Sequence, residues 1–426
     1  MVIRRNRAFR RLWAAGAVSL VGDWLSFVAV ASLALASGGG AFALALVFAA
    51  HALPGAVLAP VAGALVDGLD RRRVLVAADL LASAVTIAMT LAAVAHVTLA
   101  IPALLLVRSG IAALVPPGES AAVRRLVGED DLLEANSVLA ATWSVAFVAG
   151  MALGGVAALL GPALALALDA ASFAIAAALH ATLPAMPAPA ARRSIGSIVR
   201  AVPADTVAAL RVADAHRPLL AAVLGKAPLG LAGGAGWVAL NLVGDAARPF
   251  GAAALSFGIL QAIRGAGTGI GPAVAARLAR AGIRESTLQA AVVAIALVAI
   301  TVLGSARSPL ALAIVCFAWG CGTGANWVLA HAALQRHSSD AVIGRLAAFD
   351  ELLVTLAMVL SAFVGAAVTN AFGLGAAPLA GVVLAIAGLA IVRALVTRPA
   401  VTREPQPAYT PAVDRSSTKD MRDEAA

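Results

Sequence analysis

The sequence predicts an all-α membrane protein whose twelve transmembrane helices form two parallel repeats of six helices. Three observations support this fold class. Hydrophobic residues make up 62% of the 426 residues and charged residues only 12%, with a mean hydropathy of +0.95, which is more apolar surface than a soluble domain can bury. The apolar residues fall in runs of ~20 residues, the length that crosses the hydrocarbon of a bilayer. The charged residues cluster between these runs, whereas a β-barrel would show short segments of alternating hydrophobicity.

Twelve spans follow when the chain is divided at charges, prolines and glycine clusters. In the first half they cover 12–37, 41–66, 74–95, 99–118, 136–160 and 162–183. In the second half they cover 218–243, 252–276, 287–304, 309–333, 348–371 and 376–396. The break between the first two spans has the weakest signal, since only Ser-Gly-Gly-Gly interrupts the apolar run.

The distribution of basic residues predicts the orientation of the spans. If the N-terminus is cytoplasmic, the inner segments carry 26 of the 31 lysines and arginines and the outer loops carry two. Cytoplasmic loops are enriched in lysine and arginine, so this bias predicts that both termini are cytoplasmic. A cleaved signal peptide is the alternative for the start of the chain. The first apolar run is too long for one and contains Asp23-Trp24, which favours an uncleaved first span.

Internal repetition supports the two-bundle arrangement. A shift of about 211 residues places Pro60 over Pro272, Arg72 over Arg284 and Arg125 over Arg336, with loops of similar length and charge. We therefore expect an N-terminal bundle at 1–183, a cytoplasmic linker at 184–217 and a C-terminal bundle at 218–397. The final segment, 398–426, contains prolines and mixed charges and is expected to be a disordered cytoplasmic tail.

Composition also argues against several function classes. The net charge of +9 follows from the basic loops, so we expect no nucleic-acid partner. The glycine-rich segments lack the Lys-Ser/Thr ending of a phosphate loop. No metal-ligand cluster, hydrolase triad or paired-carboxylate site occurs at a useful spacing, so we expect no enzyme activity, no metal and no cofactor. The two cysteines, Cys316 and Cys321, lie in one span and are expected to be free thiols.

The loop between spans 2 and 3 carries the most specific motif. It reads GALVDGLDRRRVL, in which Gly63, Asp67, Arg71 and Arg72 fit the loop signature of major facilitator superfamily transporters. Gly68 replaces a basic residue of that signature, and Asp70 replaces its second glycine. The chain resembles the subgroup of siderophore-type and macrolide exporters, in which an acid commonly precedes the arginine pair.

Further stretches extend this resemblance over most of the chain. Residues 6–13 and 21–25 resemble the opening of that exporter subgroup. Residues 124–127 and 129–136 resemble its loop between spans 4 and 5. The exporter signature of span 5 runs Gly-Pro with further glycines. Here Gly150 is followed by Met151 in place of the proline, and Gly154 and Gly155 complete the motif.

The resemblance implies a conformational latch in the loop after span 2. Asp67 would lie against the N-terminus of span 11, where the helix dipole favours a negative charge. Arg71 and Arg72 would add ion pairs that hold the outward-facing state closed on the cytoplasmic side. The alternative is that these charges only enforce topology, although the positive-inside bias does not account for Asp67.

Ionisable residues inside the spans are candidates for the mechanism, because a charge near the bilayer centre costs at least ~2.5 kcal/mol. Asp23 lies ~16 Å into span 1 at the helical rise, and Arg108 is similarly central in span 4. We expect both to face a central cavity, where they could pair and bind or release a proton. A static ion pair, or Asp23 capping backbone groups near Gly22, is the alternative.

Other intramembrane residues give weaker signals. Asp169 in span 6 is expected to be shallow enough to reach water, as a packing or outer-gate residue. The repeat shift places Arg264 next to the position that corresponds to His51, so both could line the cavity, where Arg264 would favour acidic substrates. His51 could equally be a buried, hydrogen-bonded histidine. Asp79 is expected near the cytoplasmic surface, accepting from the loop arginines. The sequence does not rank a further set of cavity or gate candidates: Lys226, Asn326, His331, Asp350 and Glu351.

These observations predict a secondary active transporter. It would carry small amphipathic molecules, such as a drug, siderophore or secondary metabolite, out of the cell in exchange for protons by alternating access. We expect a multi-pass monomer in the bilayer of a bacterial cytoplasmic (inner) membrane. The alternatives are an uptake permease of the same fold, which Met151 in place of the proline leaves open, and a non-transporting membrane scaffold or sensor.

Overall fold

The structure is a computed structural model that describes residues 1–188, 195–339 and 342–398. The described residues form helices and turns, and contain no strand. Residues 189–194 of the predicted linker lie outside the described residues, as does the predicted tail apart from Arg398.

Twelve long helices cross the molecule, as the sequence predicts. In chain order they are Arg7–Ala36, Gly40–Gly68, Arg71–Val94, Thr98–Leu126, Glu129–Leu159, Pro162–Ala181, Arg217–Ala247, Ala253–Arg280, Glu285–Leu303, Pro309–His337, Ile343–Phe372 and Ala376–Thr397. We keep the names span 1 to span 12 for them. Two further helices, Val2–Arg5 and Ile195–Ala215, lie outside this set.

Within the described ranges, eleven of the twelve helices are long and apolar enough to cross a membrane. The exception is span 8, Ala253–Arg280, which carries the polar side chains Gln261 and Arg264 at mid-length. Gln261 is fully buried by neighbouring helices rather than facing lipid. A span whose polar residues face protein can have a lower hydropathy than its neighbours, because lipid contacts only part of its surface.

At the end of the molecule that carries the N-terminus, helices extend beyond the apolar runs of the sequence. Span 1 begins at Arg7 rather than residue 12, and span 10 continues to His337 rather than residue 333. Backbone hydrogen bonds hold a helix together whether or not its side chains are apolar, so hydropathy underestimates helix length at a charged end. The weak break between spans 1 and 2 is present, because Gly38 and Gly40 adopt positive φ values of 79° and 53°.

Two spans are built from two helices each. Span 4 contains Ile101–Ala112 and Val115–Leu126, and its second helix begins with prolines at its first positions. Proline is tolerated there because its missing N–H would have no partner in the first helical turn. Span 7 contains Arg217–Leu224 and Ala227–Ala247, with Lys226 at the junction.

The two halves pack together at one end of the molecule. A single large apolar cluster joins Phe27 and Phe48 of the first half to Trp237 and Ala362 of the second half. These residues lie toward the ends of their helices that are distant from the N-terminus. We call this end of the molecule the closed end.

At the opposite end each half has its own apolar clusters. Phe9, Leu75 and Met186 belong to a cluster within the first half. Leu219 and Leu334 belong to a cluster within the second half, which also includes residues of the helix Ile195–Ala215. That helix contacts span 2 and span 11, one from each half. The packing therefore joins the halves through one shared core at the closed end and leaves them with separate cores at the end that carries the N-terminus.

Candidate functional site

A buried charge cluster joins three helices of the first half. The guanidinium of Arg108 in span 4 donates through Nη1 to Asp169 Oδ2 at 2.6 Å and to Ser26 Oγ at 3.1 Å. Its Nη2 donates to Asp23 Oδ1 in span 1. Arg108 and Asp169 are fully buried, whereas the Asp23 side chain keeps 25% of its surface exposed. We call Asp23, Arg108 and Asp169 the charge triad; it contains one cation and two acids.

Close packing of spans 1 and 6 positions the triad. A Cβ atom at Gly22 would collide with the Ser172 hydroxyl and lie 2.7 Å from Asp169 Oδ1, so the absence of a side chain allows this approach. The sequence pointed to the pairing of Asp23 with Arg108, which the structure brings together. The expectation that Asp169 reaches water is wrong in this structure, because the approach of span 6 buries its carboxylate against Arg108.

A group of aromatic side chains lies beside the triad, between the two halves. The Trp24 ring is 4.7 Å from Phe147 and 5.3 Å from His51, and Phe27 is 5.5 Å from Trp237 of the second half. Aromatic pairs at such centroid distances pack favourably edge to face or tilted. The group covers the central part of the interface between the halves.

Arg264 and His51 belong to this central region but are not direct neighbours. The guanidinium of Arg264 lies 5.3 Å from the Phe147 ring and 5.1 Å from the Trp319 ring, and its Nε donates to Gln261 Oε1 at 2.6 Å. The rings of Trp24 and Phe147 link His51 to Arg264. The repeat shift assigns similar depths to His51 and Arg264. In the structure the large side chains of Trp24 and Phe147 separate them.

The predicted latch residues contact their own half in this structure. Asp67 is 75% exposed and forms an ion pair with Arg71 at 4.0 Å, rather than lying against the N-terminus of span 11. The Asp70 carboxylate caps span 3, accepting from Arg73 N at 3.0 Å and from Met186 N at 2.9 Å. A Cβ atom at Gly63 would meet open space.

The arginines of the predicted latch bind backbone carbonyls that follow span 6. Arg71 Nη1 donates to the Pro187 oxygen at 2.8 Å, and Arg72 Nη1 donates to the Leu183 oxygen at 3.2 Å. The expected ion pairs of these arginines with the other half are therefore absent from the described contacts. The halves share no apolar core at this end, so the carbonyls of residues 183–187 are the nearer acceptors.

The span 5 glycines allow close helix approach. A Cβ atom at Gly150 would lie 2.7 Å from the Val21 oxygen, and one at Gly154 would lie 2.6 Å from the Leu25 oxygen, both in span 1. Gly155 faces the other half, where Gly258 of span 8 packs against its backbone. Small residues at helix contacts let backbones approach closely. The motif thus packs span 5 against span 1 and closes the contact with span 8.

Sequence reasoning missed two buried contacts between ionisable side chains. His180 Nδ1 lies 2.6 Å from Asp79 Oδ2, and both side chains are buried. Asp79 therefore pairs with span 6, not with the loop arginines as expected. In the second half, Lys226 Nζ lies 2.5 Å from Asp350 Oδ2 and 3.7 Å from Glu351 Oε2. The signal was present, since each residue interrupts an apolar run, but hydropathy does not specify which helix faces meet.

Comparisons with known proteins agree with this architecture. The family model described as transmembrane secretion effector matches residues 3–416. A search of curated proteins gave no match. Solved structures of similar fold include a variant of the nucleoside transporter NupG, with a TM-score of 0.73 and 13% identity over 91% of this chain and 99% of that chain.

Two other solved structures have a TM-score of 0.66 and 15% identity to this chain. One is the peptide transporter POT in complex with sulfate, covering 92% of this chain and 95% of that chain. The other is a bacterial homologue of the iron transporter ferroportin in an inward-facing state, covering 92% and 99%. At such identities the likeness shows the fold. Because the family model spans nearly the whole sequence and twelve helices form the matching fold, the chain belongs to the transmembrane secretion effector family and is a multi-pass membrane transporter of the major facilitator superfamily.

Proposed function

We propose that this transporter exports small amphipathic molecules in exchange for protons, as a monomer in a bacterial cytoplasmic membrane. The charge triad is the observation that carries the proposal. With both carboxylates ionised, the triad has a net charge of −1, and binding of one proton makes it neutral. A charge is costly in a low-dielectric interior, so a change in hydration of the triad changes its tendency to hold that proton.

Partial exposure of Asp23 gives the triad a route to water. Its side chain is 25% exposed, whereas Arg108 and Asp169 are buried. Rocking of the two halves would change the hydration at Asp23 first. Release of the proton to one side and uptake from the other would then couple proton flow to the conformational cycle.

The orientation in the proposal follows from the basic residues. With both termini cytoplasmic, the closed end faces outward and the separate cores face the cytoplasm. In this assignment the arrangement is open toward the cytoplasm, the side from which an exporter takes up its substrate. The exposed Asp67 agrees with a latch that is released in this state.

Asp23→Asn tests the coupling. In inverted membrane vesicles, the wild type should accumulate at least one dye from a panel of fluorescent amphipathic compounds, and a protonophore should stop the uptake. We expect Asp23→Asn to lower the initial rate by at least about tenfold, since the amide keeps the shape of the carboxylate but does not take up a proton at physiological pH. Asp214→Asn, on an exposed residue of the helix Ile195–Ala215, is the matched control and should keep the wild-type rate. Proton-driven dye uptake at the wild-type rate in Asp23→Asn would remove Asp23 from the mechanism.

An uptake permease is the second candidate, because Met151 stands where the exporter signature has proline. Met151 is buried within an uninterrupted helix, Leu132–Leu159. The same vesicles separate the two functions: an exporter accumulates the dye in inverted vesicles, whereas an uptake permease accumulates it in right-side-out vesicles.

Asp67→Asn tests the latch. Because Asp67 is 75% exposed here, its replacement should change the stability of this conformation by less than about 0.5 kcal/mol. Dye transport should nevertheless fall several-fold, because the opposite conformation would lose its carboxylate at the N-terminus of span 11. Thermal unfolding in detergent and vesicle uptake measure the two effects. Asp130→Asn, at an exposed acid in the first turn of span 5, is the control. Unchanged transport in Asp67→Asn would leave these charges with a topological role alone.

A further inference from the structure

Arg264 lies inside a span, as Arg108 and Lys226 do, but it has no carboxylate partner among the described residues. Arg108 pairs with two carboxylates, and Lys226 lies within 4.0 Å of two more. The described residues place no carboxylate within ion-pair distance of Arg264; its Nε donates to the neutral side chain of Gln261. The protein therefore holds a positive charge in its interior without a compensating anion from the described chain.

Three buried polar atoms without hydrogen-bond partners lie along the aromatic group that borders Arg264. Gln261 Nε2, Trp24 Nε1 and His51 Nδ1 are buried and find no hydrogen-bond partner among the described residues. Two of these atoms are N–H donors, and the third is a donor in one imidazole tautomer. Buried polar groups are nearly always hydrogen-bonded, so several unpaired donors along one aromatic group beside a cation require an explanation.

The unpaired groups are linked by short aromatic contacts. Phe147 contacts both Trp24, at 4.7 Å, and the guanidinium of Arg264, at 5.3 Å. His51 lies 5.3 Å from Trp24, and Gln261 is bonded to Arg264. The cation and the donors therefore occupy one region, whose walls are aromatic rings from both halves.

Part of this region is accessible from outside the packed core. Trp143 is 43% exposed although its ring stacks on Phe147 at 5.6 Å and meets Trp24 at 6.1 Å. Arg264 and Trp24 themselves are half-buried. A flat apolar molecule could stack on these rings while an attached group reaches the guanidinium.

We propose that Arg264 and Gln261 bind the oxyanion of an amphipathic organic anion, and that the rings of Trp24, Trp143, Phe147 and Trp319 hold its flat apolar body. This inference rests on the proposed function and names the substrate class. A carboxylate, sulfonate or phosphate monoester accepts several hydrogen bonds and supplies the missing negative charge. The aromatic walls select substrates by shape and apolarity.

A pair of matched probes tests the charge preference. The full chain in lipid nanodiscs is titrated with 2-naphthoate and with 2-naphthamide, which have nearly the same shape, and quenching of tryptophan fluorescence reports binding. The wild type should bind 2-naphthoate at least about tenfold more tightly than 2-naphthamide. Equal affinities, or no naphthoate binding at millimolar concentration, would overturn the inference.

Variants at Arg264 assign the preference to this residue. Arg264→Gln should weaken naphthoate binding at least about tenfold and equalise the two probes, whereas Arg264→Lys should keep a reduced preference for the anion. Arg248→Gln, at an arginine 63% exposed, is the matched control and should bind both probes as the wild type does. If Arg264→Gln does not fold, Gln261→Met decides: a selective loss of naphthoate affinity supports the site, and unchanged affinity for both probes overturns it.

The experiment separates this inference from the proposed coupling. Asp23→Asn should bind 2-naphthoate within about threefold of the wild type while losing proton-driven transport. Proton-driven transport by a protein without anion preference would overturn the substrate class alone. Anion preference together with proton-independent transport would overturn the coupling alone.

Discussion

Replacing Arg108 by glutamine is expected to destabilise the protein by about 3 to 5 kcal/mol and to abolish transport. The substitution leaves the carboxylates of Asp23 and Asp169 facing each other without their common cation. Asp169 is fully buried, so water cannot replace the lost ion pair. The thermal unfolding midpoint in detergent measures the stability, and uptake of dye by inverted vesicles measures the transport.

Removing the whole triad should cost less stability than removing Arg108 alone. The triple variant Asp23→Asn, Arg108→Gln, Asp169→Asn contains no unpaired charge, and its amide groups can hydrogen-bond to one another. We therefore expect the unfolding midpoint to return most of the way to the wild-type value while transport stays absent. The exposed Arg248→Gln is the control for loss of a positive charge. A single Arg108→Gln variant as stable and active as the wild type would contradict a role for the triad in either property.

Replacing Gly258 by leucine is expected to open the closed end and to lower transport by up to about thirtyfold. A Cβ atom there would lie 2.5 Å from the Met151 oxygen and 2.9 Å from the Gly155 Cα, so spans 5 and 8 would have to separate. Overpacking a helix contact costs about 2 kcal/mol, which changes the ratio of two conformations about thirtyfold. The conformation described here would then be populated much less, and transport would slow because each cycle must pass through it.

Spin labels at Leu160 and Arg248 measure this change, because both side chains are exposed near the closed end. The labels are introduced after Cys316→Ala and Cys321→Ala replacements, and the distance between them should lengthen in Gly258→Leu. Gly55→Leu is the matched control, since a Cβ atom there would meet no atom within 4 Å. An unchanged distance with normal transport in Gly258→Leu would show that this contact does not control closure.

Sequence reasoning predicted the fold because its signals are averages over many residues. Each span requires ~20 apolar residues, and a few misplaced residues do not change the number of spans. Span 8 shows the limit of that signal, because Gln261 and Arg264 lower its hydropathy while neighbouring helices bury Gln261. A cut at charges and glycines still located this span at 252–276, close to the observed Ala253–Arg280.

The candidate site was predictable in part. Asp23 and Arg108 were identified because a charge in an apolar run requires a functional or structural reason. The depth of Asp169 was judged from its distance to the end of span 6, which ignores the helices that cover it. Its burial depends on Gly22, where the absence of a side chain lets span 6 approach span 1.

The amino-acid sequence by itself determined the helical membrane fold, the positions of the spans and the presence of charges at mid-membrane depth. Only the tertiary structure decided which ionisable groups meet: Asp169 joins Arg108, His180 joins Asp79, and Arg264 lies among aromatic rings, with no carboxylate of the described residues at ion-pair distance. The physical reason is that hydropathy records how far along a helix a residue lies. Helix rotation and close approach at glycines, which set the partners of each side chain, arise from packing among distant segments.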